Sequence, residues 1–310
     1  MKIYSFIDEF HSSIPCVLTI GIFDGVHMGH KKIIQNLVFE SGKKYSSVLI
    51  TFNPHPKEII SYNKNKFYYL NTVKEKIFFF KKIGIDNLII HPFTKEFSKL
   101  KMQDFFYTFL SSKFCIKKII IGYDFHIGND RYKSLNRLKN LSEIFQFKFN
   151  IISPYKIDNK IISSTKIKNS IIIGNIEWAN KALGYFYTLS GYIIKGKGIG
   201  KIINFPTSNI KVDSKKLIPK NGVYAVKIRY KNSYYNGMMN IGTNPTIDDS
   251  NNKIKIETNI FNFSKNIYGE KIDILIIKMI REEIKFSSIE KLKTQIIKDK
   301  KIIVKFLSKI

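Results

Sequence analysis

His27 and His30 stand three residues apart in "GIFDGVHMGH" (21–30), beside Asp24 and among glycines at 21, 25 and 29. The chain has only 6 histidines, so a pair of them in one glycine-punctuated stretch invites a shared task. At that spacing on the first turn of a helix, two imidazoles face the same anion. They can donate hydrogen bonds to a phosphate under attack and stabilise the charge that develops on it. A helix start adds unpaired N–H groups and the positive end of the dipole. The glycines let backbone approach and turn sharply. Two plainer readings stand beside this one. A histidine near a strand end can be a satisfied structural group, and a metal site is possible in principle but needs more ligands than nearby Asp24.

A second stretch, "KGKGIGKIINFPTSNI" (195–210), places Gly196, Gly198 and Gly200 ahead of Thr207 and Asn209. It does not open a helix, so it fits neither a P-loop nor a dinucleotide fingerprint. A glycine-rich flap between strands can still cover phosphates with backbone N–H groups. On a strand, Thr207 and Asn209 point to one side and offer oxygens to Mg²⁺. "ISSTKIK" (162–168) taken alone is an ordinary helix N-cap.

The elements that must hold these residues follow from hydrophobic periodicity. "CVLTIG" (16–21), "SSVLITF" (46–52), "DNLIIHPF" (86–93), "KKIIIGYDF" (117–125) and "FKFNIIS" (147–153) read as strands. Between them, "HKKIIQNLVFES", "TVKEKIFFFKKIG" and "MQDFFYTFLSSKF" read as helices, the second ending at Gly84. Residues 164–184 are mostly helical. Strand–helix alternation predicts a mainly parallel sheet, whose carboxyl edge binds ligands. "GIFDGVHMGH" lies at that edge. After Gly184 the pattern becomes strand upon strand with turn signals and no helix between, which predicts an antiparallel barrel or sandwich. A final helix opens at Ser287, with Glu290 as capping-box partner.

Composition bounds the partners. The 310 residues suit two domains, and no apolar run is long enough to span a membrane. Asp8, Glu9 and His11 interrupt the start where a signal peptide needs an apolar core, so a soluble cytoplasmic protein is expected. Cys16 and Cys115 lie in apolar runs and are expected as buried, reduced thiols. The formal charge is +28, yet the arginines are only Arg131, Arg137, Arg229 and Arg281. Nucleic-acid sites favour Arg for its two-pronged contacts. Lysines scattered among Ile and Asn look like compositional drift, and no specific nucleic-acid or membrane partner is expected. The positive field still recruits anionic substrates.

The histidine stretch resembles the HxGH motif of nucleotidylyltransferases in its "G-x-F-D-G-x-H-x-G-H" form. "TFNPHP" (51–56), "IGYDFHIG" (121–128) and "ISSTKIK" follow in the order found in the prokaryotic bifunctional riboflavin kinase/FAD synthetase family. "KGKGIGKIINFPTSNI" resembles that family's kinase signature, and "NGVYAVKI", "NIGTNPT", "IETNIFNF", "IYGE" and "REEIKFSSIEKLKTQI" continue its order. The resemblance covers nearly the whole chain. It implies an α/β Rossmann-like nucleotidylyltransferase domain over 1–184, making FAD from FMN and ATP with release of pyrophosphate. It implies a Greek-key, riboflavin kinase-like β-barrel with a C-terminal helix over 185–310, making FMN from riboflavin and ATP. Riboflavin, FMN and ATP are then the small-molecule partners, with Mg²⁺ accompanying ATP. No oligomeric state is implied.

The implied roles are specific. His27 and His30 contact the ATP phosphates, within a loop that includes Gly21, Phe23, Asp24 and Gly29. Asp124 holds the nucleotide or flavin side. Ser164, Thr165 and Lys168 hold the departing pyrophosphate. In the barrel, Gly196, Gly198 and Gly200 cover ATP, Thr207 and Asn209 bind Mg²⁺ and phosphates, and Glu257 is general base on the ribityl hydroxyl. Without the resemblance, Glu257 is equally a solvated strand residue. Lys201, Asn204 and Ser208 replace the signature's Arg, Gly and Ala. Lys133 stands for a Gly, and Lys168 for an Arg. Lys for Arg keeps charge and loses the fork. A chain retaining one of the two activities, a flavin-binding module without turnover, and a basic nucleic-acid-binding protein are the alternatives.

Overall fold

The structure is a computed structural model that describes residues 1–12, 14–61, 66–111, 113–125, 134–196, 205–243 and 254–310. Gly198, Gly200, Lys201, Asn204 and Lys133 lie outside the described residues. The chain folds into two compact units, Met1–Ser164 and Thr165–Ile310. The strand-only pattern begins after Gly184, but the helical stretch from Thr165 onward already belongs to the second unit.

The first unit is built on a six-stranded sheet: β1 (Lys2–Tyr4), β2 (Cys16–Ile20), β3 (Ser46–Asn53), β4 (Asn87–Pro92), β5 (Ile116–Gly122) and β6 (Lys148–Ile152). Their order is β1-β4-β3-β2-β5-β6, every pairing parallel. All five residues of β2 are buried, as expected for a strand covered on both faces. Leu18, Ile50 and Ile119 face one apolar cluster with Met102, Phe105 and Leu138. Val17, Leu49 and Ile120 face the other, with Ile34, Leu37 and Phe80. Those last three come from the helices α1 (Met28–Ser41) and α3 (Val73–Ile83). A short α2 (Pro56–Ile60) lies between them in sequence. Each fully buried Leu or Ile contributes roughly 1.5–3 kcal/mol relative to exposure. The chain runs outward on one side of β2 to β3 and β4, and on the other to β5 and β6. The crevice where such an order reverses is where open α/β sheets bind ligands.

Three departures from the periodicity reading have local causes. The edge strand β1 is short, lies outside the alternating pattern, and pairs only with β4. The helix expected from Met102 is interrupted. After α4 (Lys95–Ser98), α5 (Met102–Phe105) passes into a π-helical turn over Phe106–Leu110. That turn lets Phe105, Phe106 and Leu110 all bury in one cluster. Cys16 is buried as expected, and burial pushes its thiol up to about 12. Cys115 is exposed, because it precedes β5 where the chain enters the sheet from the surface.

α6 (Ser134–Ile144) leads into β6, and the pair β7 (Lys156–Ile157) and β8 (Lys160–Ile161) precedes α7 (Ser164–Ile172). Gly174, at φ 86°, separates α7 from α8 (Ile176–Leu183), where one mostly helical stretch was expected. In the second unit, the side chain of Asn180 on α8 accepts from the Tyr187 N–H at 2.7 Å and donates to the Ile276 carbonyl at 2.9 Å. Six antiparallel strands close a barrel: β9 (Tyr187–Ile194), β10 (Ser208–Val212), β11 (Gly222–Tyr230), β12 (Ser233–Thr243), β13 (Ile254–Ile260) and β14 (Lys271–Glu282). Ile256, Thr258 and Ile260 alternate inward on β13, so Glu257 and Asn259 share the outer face. The last helix, α9 (Ile289–Leu307), is capped by Ser288, whose side chain accepts from the Lys291 N–H, rather than by Ser287. Ile303 and Leu307 of α9 pack on Val223, Ala225 and Met238.

Asp299 of α9 is 1% exposed and takes the Arg281 guanidinium at 2.8 Å, with Gln295 donating at 2.8 Å. Removing one partner of such a pair leaves the other buried without compensation. Asp299→Ala is expected to destabilise the barrel unit by about 3 kcal/mol. Trp178, the 1 tryptophan of the chain, lies in that unit, so denaturant melts followed by its fluorescence measure the loss.

Candidate functional site

In the first unit the site begins one residue past β2. Phe23 (φ 52°), Gly25 (φ 90°) and Val26 (φ 35°) take left-handed backbone in succession. For Phe23 and Val26 this conformation costs of order 1–3 kcal/mol each. Burial of both side chains in the α1–α3 cluster holds it. The Asp24 carboxylate, 3% exposed, accepts from the N–H groups of Leu70 at 2.9 Å and Asn71 at 3.3 Å. Those residues lead into α3, which starts on a capping box between Thr72 and Glu75.

The loop ends at His27, the N-cap of α1. Its Nδ1 accepts the His30 N–H at 3.3 Å. Ser, Thr, Asp and Asn usually fill that position. A neutral imidazole that accepts at Nδ1 carries its proton on Nε2, so the far edge of the ring is a donor. The His27 and His30 rings stack at 3.6 Å and 17°. Phe23 meets His30 edge-on at 5.3 Å. Nδ1 of His30 is enclosed and has no hydrogen-bond partner among the described residues. Gly29 makes room for the stack, since a Cβ there would lie 3.2 Å from the His27 ring. A Cβ at Gly21 would lie 2.8 Å from the Phe23 ring.

Electrostatics keeps both rings neutral. Burial lowers His27 to about 4 against the opposing pull of Asp24. Burial lowers His30 well below the ordinary imidazole value, and His27 and Lys76 lower it further. Lys76 of α3 is itself 4% exposed, and burial brings it down to about 8 while Asp24 pulls it back up. Its Nζ donates to the Ile22 carbonyl at 3.2 Å. This lysine was missed in the sequence. Its signal was there: Lys76 and Phe80, four apart, form the buried stripe of α3.

Within the first unit, parts of the other stretches come to the same edge. Ser164 donates its hydroxyl to the Asp24 carbonyl at 2.8 Å, which ties the "ISSTKIK" motif to the histidine loop. Thr165 and Lys168 follow on the helix that Ser164 opens. Asp124 is exposed two residues past β5, across the order reversal from β2, and its carboxylate would lie 3.1 Å from a Cβ at Gly122. "TFNPHP" ends β3, where His55 caps α2 and accepts from the Lys57 N–H at 3.0 Å.

In the barrel unit, Glu257 is central to a second constellation. It pairs in register with Asn209 of β10 on one side and Asn240 of β12 on the other. The Thr207 hydroxyl donates to the Glu257 carboxylate at 3.4 Å. Thr207 lies just ahead of β10 rather than within it, yet keeps the alternation with Asn209. Asn259 fixes the turn before β10 by donating to the Pro206 carbonyl at 2.7 Å. A Cβ at Gly196 would meet the Asn209 side-chain amide, so Asn209 would have to shift for any larger side chain at 196. Asn240 and Asn259 were not singled out in the sequence, since asparagine is too common here to stand out.

Comparison with known proteins places the chain in a family. The FAD synthetase family model matches residues 9–166, and the riboflavin kinase model residues 183–307. A bifunctional riboflavin kinase/FMN adenylyltransferase of Buchnera aphidicola subsp. Schizaphis graminum is 41% identical over 94% of both chains. Its namesake in Listeria monocytogenes is 35% identical over 96% of this chain and 95% of its own, and that of Escherichia coli K12 30% identical over 92% and 90%. The crystal structure of a macrolide-efflux protein from Streptococcus pneumoniae superposes with a TM-score of 0.88, at 29% identity and 97% coverage of each chain. No helix among the described residues is long and apolar enough to cross a membrane.

Depressed imidazoles make the first unit acid-sensitive. Between about 4 and 6.5 the unfolded chain binds a proton that folded His27 refuses, so stability rises with pH across that window and falls on acidification. The slope reaches about 1.4 kcal/mol per pH unit for each such ring. His27→Asn keeps a cap acceptor and removes one titration. Hydrogen exchange of β2 and β3 amides in the full chain is expected to show a shallower pH dependence for this variant than for the wild type.

Proposed function

The chain belongs to the bifunctional riboflavin kinase/FMN adenylyltransferase family, and from that premise we propose how its residues divide the two reactions. It is an enzyme of flavin cofactor synthesis: it phosphorylates riboflavin to FMN and adenylylates FMN to FAD. ATP is the proposed donor in both steps. The functional border is proposed at Gly184, with 1–184 for adenylyl transfer and 185–310 for phosphorylation. The riboflavin kinase match from residue 183 supports that border.

In adenylyl transfer, an FMN phosphate oxygen attacks the α-phosphorus of ATP, the bond to the bridging oxygen breaks, and pyrophosphate leaves. No covalent enzyme intermediate is needed, because orientation and charge stabilisation carry the rate. The observation that carries this reading is the stacked imidazole pair at the start of α1. The Nε2–H of His27 and the ring of His30 donate to phosphate oxygens, together with the first N–H groups of α1. Gly21, Phe23, Asp24 and Gly29 shape the loop around them. Ser164, tied to Asp24, supports a role for Ser164, Thr165 and Lys168 at the departing pyrophosphate. Asp124, across the crevice, orients the nucleotide or the flavin.

In the barrel, Glu257 accepts the proton of the ribityl hydroxyl as its oxygen attacks the γ-phosphorus of ATP, and ADP leaves. Thr207 and Asn209 are proposed to hold Mg²⁺, which suits their hard oxygen donors beside a carboxylate. The ion would draw charge from the phosphate oxygens when bound. Gly196, Gly198 and Gly200 are proposed to cover ATP. The cytoplasm is the proposed compartment, supported by two cysteines that form no disulfide. The lysine excess is read as recruiting anionic substrates rather than nucleic acid.

Purified protein incubated with riboflavin and MgATP is expected to yield both FMN and FAD on chromatography. His30→Ala is expected to slow FAD formation by about a hundredfold or more and to spare FMN formation. Glu257→Gln is expected to slow riboflavin phosphorylation by about 10²–10⁴-fold while FMN supplied from outside is still converted to FAD. If either change removed both products from folded protein, the division of labour would be wrong.

A further inference from the structure

Beneath the histidine loop lies a charged group that the mechanism above leaves idle. Lys76 reaches from α3 across the buried face and donates to the Ile22 carbonyl at 3.2 Å and the Thr51 hydroxyl at 3.5 Å. Thr51 donates to the same carbonyl at 3.1 Å. The Ile22 carbonyl therefore keeps a donor even without the lysine. A buried ammonium is costly to desolvate, and a fold that needed only that carbonyl satisfied would do so with Thr51 alone. Groups that strain the fold in this way cluster where function requires them.

We propose that Lys76 is a positioning residue for adenylyl transfer: its buried ammonium pins the Ile22 carbonyl and anchors the left-handed turn that carries Asp24 and His27. The inference rests on the adenylyl-transfer reading of the histidine site. Around this lysine the charged and titratable neighbours are Asp24 in the loop and His30 on α1, with Glu75 beside it on α3. His27 faces His30, and Lys31 faces His27. Burial is the main reason His30 keeps the neutral form, and within this set His27 and Lys76 disfavour its proton further. Asp24 draws the opposite way on His27 and on Lys76. The lysine is thus placed to act twice: by geometry through Ile22, and by charge through His30.

The test uses the full chain with FMN and MgATP, and riboflavin phosphorylation as an internal control. Lys76→Met is expected to lower kcat for FAD formation by about ten- to a hundredfold, with KM for FMN little changed. It is also expected to move the acid limb of the kcat/KM profile to higher pH, because His30 then protonates more readily. Its melting temperature and its rate of FMN formation are expected to stay at wild-type values. Lys76→Arg restores a cation and is expected to recover most of the rate and the wild-type acid limb. An unchanged kcat and acid limb in Lys76→Met would overturn the proposal. So would a loss of FAD formation that merely tracks loss of folded protein, or a Lys76→Arg that recovers nothing. Absence of FAD formation by the wild type would instead defeat the reading of the site itself.

Discussion

One hydrogen bond sets the geometry of the N-terminal site: the His30 N–H to Nδ1 of His27, across the start of α1. It satisfies one of the free amides at the helix start. It fixes the tautomer of His27, and it brings the His30 ring under its partner at stacking distance. The constraint propagates in both directions. Upstream, the chain must reach the cap in three left-handed steps, so Phe23 and Val26 must be buried to hold them. Downstream, Gly29 must lack a side chain where the His27 ring lies. A stacked pair that is desolvated disfavours protons on both rings, so the pair is neutral.

The site proposed in the barrel is built by other means. Strand alternation turns Asn209, Glu257 and Asn240 onto one face, with Thr207 hydrogen-bonded to the carboxylate. Gly196 approaches the Asn209 amide closely enough that a Cβ there would require the amide to move. Oxygen donors beside a carboxylate suit phosphoryl transfer to a hydroxyl, which needs both a base and charge neutralisation. Neutral imidazoles at a helix dipole suit a reaction whose nucleophile is already an anion. The contrast follows from the substrates: a ribityl hydroxyl in one case, an FMN phosphate in the other.

Much of this was legible in the sequence because it rests on local rules. Strands β2 to β6 follow apolar runs, α3 is bounded by Thr72 and Gly84 as its periodicity predicts, and the histidine spacing puts both imidazoles at the start of α1. Misses came where long-range packing overrides local pattern. Lys76 shares the buried stripe of α3 with Phe80, but its partner, the Ile22 carbonyl, is found only in the packed fold. The π-turn over Phe106–Leu110 answers the demand to bury successive aromatics, which periodicity treats as plain helix. Cys115 lies in an apolar run and is nonetheless exposed, because strand ends emerge from the core. The sequence reading puts the cap of α9 at Ser287, and the adjacent Ser288 takes it.

The account depends on where a triphosphate sits, and that is directly observable. A crystal structure of the full chain with an ATP analogue that cannot be cleaved between its α- and β-phosphorus atoms tests it. The account predicts phosphate oxygens within hydrogen-bond distance of Nε2 of His27 and of the His30 ring, with the phosphates at the first turn of α1. A nucleotide bound in this unit away from both rings, or rings swung apart from their stack when it binds, would contradict it.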